Sequence, residues 1–462
     1  MAAHQYLLPN HPSLTSLDPL GICEDAEDSV NHFTLCKALL KACREGFEEV
    51  EALQARNEDE LRRGWSKAFT TLLKDIAYSL HGDGDLKTDG LEDFLNDSTK
   101  IMTSELSDFR KVLFSHALRL DDPKLPFASG SLAKLCTEHT PSQMTSIEVD
   151  TLLAHMLIGT LSIPSGNTWG RPGFTELYAR SSTTAHAYLQ TLFSHFAEGG
   201  YSHTDPSGQI AFYLHNASTM PDLTTSYLPT FTIPTRIVPE PSENSTPSDP
   251  SRSHFLLIAA HSQPGPGPNG TQEERLVGQS PPLALISVLK PLLQPDEAII
   301  TSPLWAHSSW SGHGRQARMT QLFDVEVRRK VRYIVADALE LDVVDRLEGE
   351  GGMRLPDLRE GNVEREVRKL FAAFSGAKEV WERDERQGRM KIEMPPWGCG
   401  AFGGDLAAKV QCMMMAAAVA GMGEEELELV VTEDRERELD GLPKGTETVS
   451  EMYARLTAGS RD

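Results

Sequence analysis

Between about residues 30 and 200, apolar residues recur at spacings of three and four along the chain. This period is typical of amphipathic α-helices, whose apolar stripes must be buried against one another. The pattern is clear in HFTLCKALLKACREGFEEVEALQ, LRRGWSKAFTTLLKDIAYSL, SIEVDTLLAHMLIGTL and TTAHAYLQTLFSHFAEG. The first part of the chain is therefore predicted to be all-α.

From about residue 209 the pattern changes to short apolar runs rich in Ile, Val and Phe, which predict strands. The predicted strands are QIAFYL, HFLLIAA, AIITS, LFDVEV, VRYIVADAL and MKIEM. Helical segments lie between them: QEERLVG with PPLALISVLKPLL, then NVEREVRKLFAAF, then GDLAAKVQCMMMAAAVAGM. Alternating strands and helices favour an α/β fold with a mixed sheet flanked by helices. Two stretches rich in Pro, Gly and polar residues, 239–253 and 348–362, are predicted to be surface loops.

A length of 462 residues is long for one core, so from length alone we expect two domains. The formal net charge of −23 argues against general affinity for nucleic-acid phosphates, and no direct DNA binding is expected. Between Arg315 and Arg332, however, six basic residues stand against two acidic ones. This basic stretch either faces a phosphate chain or is an ordinary solvated strand end.

The six cysteines are scattered and form no CxxC pair, which predicts reduced thiols and no zinc site. The N-terminus has no basic flank before its short apolar stretch, and no run approaches about 18 apolar residues. We therefore expect a soluble intracellular protein, nuclear or cytoplasmic, without membrane association. We also expect it to be a monomer.

A glycine-rich segment, Trp397-Gly398-Cys399-Gly400-Ala401-Phe402-Gly403-Gly404-Asp405, lies between the strand MKIEM and the helix that begins near Leu406. Glycines let a backbone approach an oxyanion closely, and free N–H groups with the positive end of a helix dipole attract it. The segment is therefore a candidate phosphate-binding loop. A tight turn that packs helix against sheet is the alternative.

A second strand-to-helix turn carries two adjacent carboxylates, in Gln272-Glu273-Glu274. Acidic residues are common in the first turn of a helix because the dipole favours them, so this tripeptide alone indicates little. Its order relative to the glycine-rich segment, on a separate turn of one α/β domain, makes it more informative.

Together the two segments resemble the signature loops of the poly(ADP-ribose) glycohydrolase family. The family's signature places three glycines six to eight residues before Gln-Glu-Glu, and six residues follow Gly265 here. Weaker likeness extends from about residue 105 to 435, through SIEVDTLLAHMLIGTLSIP, AYLQTLFSHFAEGG and VRYIVADALEL.

The resemblance implies a macrodomain preceded by an all-α accessory domain. The predicted divisions are an N-terminal helical extension (1–100), a helical accessory domain (101–205), a macrodomain-like α/β catalytic domain (206–445) and a C-terminal tail (446–462).

The resemblance also implies hydrolysis of ribose–ribose O-glycosidic bonds in poly(ADP-ribose) or ADP-ribosylated proteins, releasing ADP-ribose, within the DNA damage response. Glu274 would be the acid and base of a reaction through an oxocarbenium-like state, and Glu273 would orient the ribose. No cofactor is implied. The expected ligand-binding residues are Gly265, Gln272, Trp310, Gly398, Cys399, Gly400, Ala401, Phe402 and Gly403.

Several positions depart from the family pattern. The triple glycine is Gln263-Pro264-Gly265, and Ala260-His261 stands where the family has an aspartate and an asparagine. Trp310 falls where a functional tyrosine is expected, Pro396 replaces an asparagine, and the aromatic at the end of the last strand is missing around 431–433. These changes leave two alternatives open: an ADP-ribose reader without turnover, or an interaction protein whose acidic surface or helical half docks a partner.

Other residues have simpler interpretations. Met413, Met414 and Met415 are predicted to pack in the core. Cys399 has no histidine close in sequence to act as its base, and His307 and His313 lack a carboxylate at metal-ligand spacing. His261, on the presumed ribose loop, is either structural or a ligand contact.

Overall fold

The computed structural model describes residues 5–23, 29–53, 58–164, 169–170, 172–240, 252–342, 355–384, 389–443 and 447–458. The α-helices are α1 (His32–Leu53), α2 (Glu58–His81), α3 (Asp89–Asn96), α4 (Thr103–Ala117), α5 (Ser146–Ile158), α6 (Thr183–Ala197), α7 (Tyr201–Thr204), α8 (Gln272–Gln279), α9 (Ile286–Leu289), α10 (Asn362–Asp384), α11 (Leu406–Val419) and α12 (Val449–Thr457). The strands are β1 (Gln5–Leu7), β2 (Thr15–Ser16), β3 (Val30–Asn31), β4 (Ser131–Ala133), β5 (Ser142–Thr145), β6 (Gln209–Asn216), β7 (Thr235–Val238), β8 (Arg252–Ala260), β9 (Glu297–Thr301), β10 (Leu304–Ala306), β11 (Ser308–Ser311), β12 (Arg318–Leu322), β13 (Arg329–Asp337), β14 (Arg389–Met394) and β15 (Leu427–Thr432).

The helical prediction for the first part of the chain is confirmed by α1, α2, α5 and α6. α5 shows how sequence sets a boundary. Thr145 accepts a hydrogen bond from the Glu148 N–H while Glu148 returns to the Thr145 N–H, and Gly159 ends the helix in a left-handed conformation. Helices α3 and α4 were not predicted.

A mixed sheet forms the centre of the second part, in the order β5-β6-β9-β13-β8-β14-β15-β7, with β10 added beside β13. β13, β8, β14, β15 and β7 run parallel, whereas β5, β6 and β9 pair antiparallel. This arrangement confirms the predicted α/β class.

Successive residues of the central strands enter cores on opposite faces of the sheet. In β8, Leu256 and Ile258 belong to a core shared with the helical part, while Phe255 and Leu257 face α10 and α11. The sheet is therefore covered by helical structure on both faces, as in a macrodomain.

Two predicted elements were wrong. LFDVEV is not a strand: β12 ends at Leu322, and 325–327 form a 3₁₀ turn whose side chains are partly or largely exposed. PPLALISVLKPLL breaks into a 3₁₀ turn, Pro281–Leu285, and the short α9, which ends before Pro291 because proline disfavours a helical conformation in the residue that precedes it.

The C-terminal segment predicted as a tail contains α12, whose Val449, Met452 and Leu456 are buried in the core beside α11. In the predicted surface loops, 241–251 and 348–354 lie outside the described residues. The boundaries at residues 100 and 205 stay predictions. Within the described part of the chain, no helix is long and apolar enough to cross a membrane.

Candidate functional site

A cleft of about 900 Å³ lies at one edge of the sheet. The parallel strands β7, β8, β13, β14 and β15 all end at this edge, and residues that follow β7, β8, β14 and β15 line the cleft. The carboxyl edge of parallel strands is the usual place for ligand binding in α/β proteins, because the loops converge there. The fold thus brings both candidate loops into one cavity.

One wall is the loop after β8 with the first turn of α8. The Gln272 amide fixes this turn to the strand, since its Oε1 accepts from the Ala259 N–H at 2.9 Å and its Nε2 donates to the Leu257 carbonyl at 3.1 Å. The neighbouring Glu273 accepts backbone N–H bonds from His261 and Gly265, at 2.8 and 2.9 Å. Its carboxylate is therefore held by the loop that precedes the helix.

Glu274 is held by a capping box. Its Oε2 accepts from the Thr271 N–H at 2.9 Å, while the Thr271 hydroxyl accepts from the Glu274 N–H at 3.3 Å. Oε1 accepts from the Asn269 amide at 3.3 Å. Gly267 lies directly against this carboxylate: a Cβ added there would stand 2.1 Å from Glu274 Oε1.

Both carboxylates line the cleft but are mostly buried, with exposures of 7% and 8% for Glu273 and Glu274. Burial raises the pKa of Glu273 to about 8, against the lowering effect of its two backbone bonds; the nearby charges of Glu274 and Asp337 raise it further. At neutral pH this carboxyl group therefore keeps its proton.

The opposite wall is the glycine-rich loop, anchored by the fully buried Trp397, whose indole N–H donates to the Ala336 carbonyl at 3.0 Å. The carbonyls of this loop point inward. Phe402 O accepts from Leu341 N, Gly400 O from Gly403 N, and Gly398 O from Gly404 N. Across the described residues, the N–H groups of positions 400–402 donate to no protein acceptor, so they are available to an anion.

The N-terminus of α11, which follows this loop, was expected to attract an anion, but its N–H groups bind carboxylates of the protein. Asp405 caps α11 by accepting from the Ala408 N–H at 2.9 Å, and its own N–H donates to Asp357 at 3.0 Å. The first turn of α11 is thus already occupied by carboxylates. Attraction for an anion comes from the loop backbone instead.

A buried lysine supports the loop from below. Lys409 Nζ lies 2.9 Å from Glu366 and 3.4 Å from Asp357, all three almost fully buried. Gly398, at φ +74°, passes directly over it, where a Cβ would stand 2.8 Å from the Ala338 Cβ and 3.2 Å from Lys409 Cε. Only glycine fits this combination of conformation and contact.

Most of the residues expected from sequence meet in the cleft. Its lining includes Gly265, Gln272, Glu273, Glu274, Gly398, Gly400, Ala401 and Phe402. Gly403 and Cys399 support the loop from behind, outside that lining. Burial raises the pKa of the Cys399 thiol to about 12, and the thiol donates to the Trp397 carbonyl, so it is no nucleophile at neutral pH.

The expectation that Trp310 contacts the ligand is wrong for this structure. Its indole is fully buried, donates to the Ser308 hydroxyl at 3.0 Å and packs beside Tyr188. A Cβ added at Gly278 of α8 would lie 3.0 Å from the ring. Trp310 therefore supports α8 from outside the cleft, because its side of the β11–β12 hairpin faces the helical core.

The hairpin instead contributes His313, which sequence reasoning had set aside. Its ring lines the cleft and faces Gly400 across it, 3.6 Å from a Cβ built there. Burial lowers the pKa of His313, and the positive charge of Arg275 lowers it further. A neutral imidazole thus lies beside the glycine-rich loop, within range of the charge of Arg275 on α8.

Two further residues at this site carried no sequence signal. Glu340, after β13, pairs with His261 Nε2 at 3.0 Å, while His261 Nδ1 accepts from the Gln263 N–H at 3.0 Å. Arg435, after β15, lines the cleft and donates to the Cys399 carbonyl at 3.1 Å. Both lie on strand ends that only the topology brings to this edge.

The basic stretch does not form a common phosphate-facing surface. Arg328 and Arg332 are buried and pair with Glu198 and Asp384. Two of the exposed members are also paired: Arg318 binds Glu240, and Lys330 binds Asp205. Among the described residues, no cluster of His, Cys, Asp or Glu could hold a metal ion.

Solved structures that resemble this chain include poly(ADP-ribose) glycohydrolase from Deinococcus radiodurans in complex with ADP-ribose, at 15% identity and a TM-score of 0.32, covering 54% of this chain and 94% of that one. The apo form of the same protein matches at 13% identity and a TM-score of 0.27, covering 54% and 92%. No curated protein matches the chain.

Residues 263–437 match a family model described as poly(ADP-ribose) glycohydrolase, macro domain fold. This range contains Gly265, Glu273, Glu274, the glycine-rich loop and Arg435. This part of the α/β region is therefore similar to the macrodomain of the poly(ADP-ribose) glycohydrolase family.

Proposed function

We propose that this protein is a poly(ADP-ribose) glycohydrolase, which hydrolyses ribose–ribose O-glycosidic bonds and releases ADP-ribose. One observation carries the proposal: two buried carboxylates, Glu273 and Glu274, face a glycine loop with free N–H groups across a single cleft. The loop suits the diphosphate of ADP-ribose, and the carboxylates suit the adjoining ribosyl bond.

The reaction needs a proton on the leaving ribose oxygen while its bond to the anomeric carbon breaks, and then a base that takes a proton from the attacking water. The oxocarbenium-like state between these steps is cationic, so a nearby carboxylate stabilises it. Because burial raises the pKa of Glu273 to about 8, the pair carries a proton at neutral pH and can begin the cycle.

We assign proton transfer to Glu274 and orientation of the ribose to Glu273, by their order in the family motif. The raised pKa of Glu273 favours the reverse assignment, in which Glu273 is the acid. The two assignments predict different kinetics for the two glutamine variants, which keep the shape of the side chain.

The test is release of ADP-ribose from purified poly(ADP-ribose) by the wild type, Glu274→Gln and Glu273→Gln, with ADP-ribose binding measured by calorimetry. If Glu274 transfers the proton, Glu274→Gln lowers kcat by roughly 10²- to 10⁴-fold and still binds ADP-ribose. Glu273→Gln then mainly raises KM. The opposite pattern, with a wild-type loss of activity above pH ~8 that disappears in Glu273→Gln, establishes the reverse assignment.

A reader without turnover is the second candidate, and one observation favours it. Each oxygen of both carboxylates already accepts a hydrogen bond from the protein, so neither carboxylate is held solely for a substrate. A wild-type protein that binds ADP-ribose but releases none from the polymer is a reader. A wild type that does neither rules out both candidates.

A further inference from the structure

Arg435 is the residue whose position the mechanism leaves unexplained. It follows β15, in the 3₁₀ turn Glu433–Leu439, and its guanidinium lines the cleft beside the glycine loop. Its side chain is 21% exposed, so it faces the cavity without extending into bulk solvent.

The guanidinium is held in a fixed orientation. Nε and Nη2 donate to the two carboxylate oxygens of Glu438, both at 2.8 Å, and Nη1 donates to the Cys399 carbonyl at 3.1 Å. A guanidinium has five N–H donors, so these bonds leave two. Among the described residues, no acceptor binds the two remaining N–H donors of the guanidinium. The guanidinium itself borders the cleft.

The acidic residues around the cleft mean that a cation at the position of Arg435 would stabilise a bound anion. Four acidic residues outside the Glu273–Glu274 pair contribute to the lining: Glu176, Glu240, Glu393 and Asp434. Glu240 and Glu393 are paired with Arg318 and Arg236, and Arg275 also lines the cleft. An anionic ligand is therefore stabilised chiefly by a cation that lies directly beside its own charge. Arg435 lies next to the loop whose N–H groups at 400–402 are free.

We propose that Arg435 is a binding residue for the diphosphate of ADP-ribose, pre-positioned by Glu438 and by the glycine loop. Arginine suits this role because its planar fork binds two phosphate oxygens at once and stays charged at every physiological pH. This inference rests on the proposed function, since it assumes that ADP-ribose occupies the cleft.

The test compares Arg435→Met with Arg437→Met, the same substitution at an exposed arginine two positions along the same turn. Binding of ADP-ribose is measured by calorimetry at several KCl concentrations, and folding is checked by thermal melting. Arg435→Met is expected to weaken binding roughly tenfold to hundredfold and to make it less sensitive to salt. Arg437→Met should match the wild type in both respects.

Arg435→Lys provides a second variant if the methionine destabilises the loop. It keeps the charge but loses the fork, so it should bind with intermediate affinity and retain the salt sensitivity of the wild type. The inference is overturned if Arg435→Met binds like the wild type, or binds more weakly with unchanged salt sensitivity, which indicates a purely structural role. A wild type that does not bind ADP-ribose removes the proposed function itself, and the inference with it.

Discussion

Glu273 and Glu274 are adjacent in sequence, yet different parts of the loop hold them. The two carboxylate oxygens of Glu273 accept hydrogen bonds from the backbone N–H groups of His261 and Gly265, in the loop that follows β8. Glu274 instead closes a capping box with Thr271. The common helix-start signal therefore accounts for Glu274 alone. Glu273 is not a helix cap; its carboxylate ties the loop after β8 to the first turn of α8 in the wall of the cleft.

The raised pKa of Glu273 makes the stability of the protein depend on pH. Because its pKa is about 8 in the folded state and near 4.5 otherwise, the folded state keeps a proton that the unfolded chain releases. This contribution is fully present below pH ~4.5 and is lost as the pH rises to about 8, at up to about 1.4 kcal/mol per pH unit. Glu273→Gln cannot titrate, so its free energy of unfolding should decline less between pH 5 and 8.

Urea unfolding at several pH values measures this difference. Glu424→Gln, at an exposed glutamate, is the control and should follow the wild type. An identical decline in wild type and Glu273→Gln would show that Glu273 is ionised in the folded protein at neutral pH.

Gly267 should be essential for activity although it carries no side chain. In Gly267→Ala the new methyl group would stand 2.1 Å from Glu274 Oε1, and the carboxylate must move. Displacing a reacting group by about 1 Å can cost on the order of 100-fold in rate, so kcat should fall by at least tenfold. The rate of ADP-ribose release from the polymer measures this fall in kcat.

The control is Gly441→Ala, because a Cβ at that position meets nothing within 4 Å, and this variant should keep full activity. Equal rates for Gly267→Ala and Gly441→Ala would place Glu274 outside the reaction.

At the scale of elements, the sequence identified the two loops because each is local. Strand, loop and helix are consecutive in the chain, and letters such as WGCGAFGGD are informative without the rest of the molecule. The hairpin and the strand ends were not predictable in this way. Whether Trp310 or His313 faces the cleft depends on the orientation of the β11–β12 hairpin, and Arg435 and Glu340 arrive only through the strand order.

The buried charge cluster beneath the glycine loop, formed by Lys409, Glu366 and Asp357, should be a main source of the rigidity of that loop. Lys409 on α11 joins Glu366 of α10 and Asp357, and Glu366 also accepts from the Leu339 N–H at 2.9 Å. Removing one partner leaves buried charges uncompensated, which costs about 3 to 5 kcal/mol. Lys409→Met should therefore lower the free energy of unfolding by about this amount, measured by denaturant titration.

Two comparisons separate this effect from a general loss of charge. Lys111→Met removes an exposed ion pair with Asp108 and should cost less than about 1 kcal/mol. The double variant Lys409→Met/Glu366→Gln should recover part of the loss, because fewer buried charges are left unpaired. No recovery would mean that packing of the lysine stem, rather than its charge, supports the loop.

At the scale of the whole molecule, the helical part and the sheet share one core. Buried residues from β1, from the helices up to α6 and from one face of β6, β8, β9 and β13 form a continuous cluster. The first hundred residues had no family counterpart in the sequence, yet Tyr6 and Leu8 are fully buried in this cluster. Periodicity predicted the helices but could not predict this shared burial, since it shows which face of a helix is apolar and not what covers it.

A buried polar network crosses the same boundary. Asp150 of α5 accepts from His195 of α6 at 2.9 Å and from the Tyr201 and Ser202 N–H groups at 3.1 and 2.8 Å. The Tyr201 hydroxyl meets His307, beside the hairpin, at 2.7 Å. The network therefore links the helical part to the element that contributes His313 to the cleft.

His116, on α4, makes this network sensitive to acid. Burial lowers its pKa to about 4, only partly offset by the charge of Asp150, so below pH ~6.5 the unfolded chain binds a proton that the folded protein does not. Stability should fall as the pH drops from about 6.5 to 4, and His116→Asn should show a smaller fall, by up to about 1.4 kcal/mol per pH unit. Urea unfolding at pH 7 and pH 5 measures this difference, with the exposed His203→Asn as control.

Because the core is continuous, the helical part and the macrodomain should lose stability together, in one transition seen both by far-ultraviolet circular dichroism and by loss of ADP-ribose binding. Separate transitions would show instead that the shared core does not couple them.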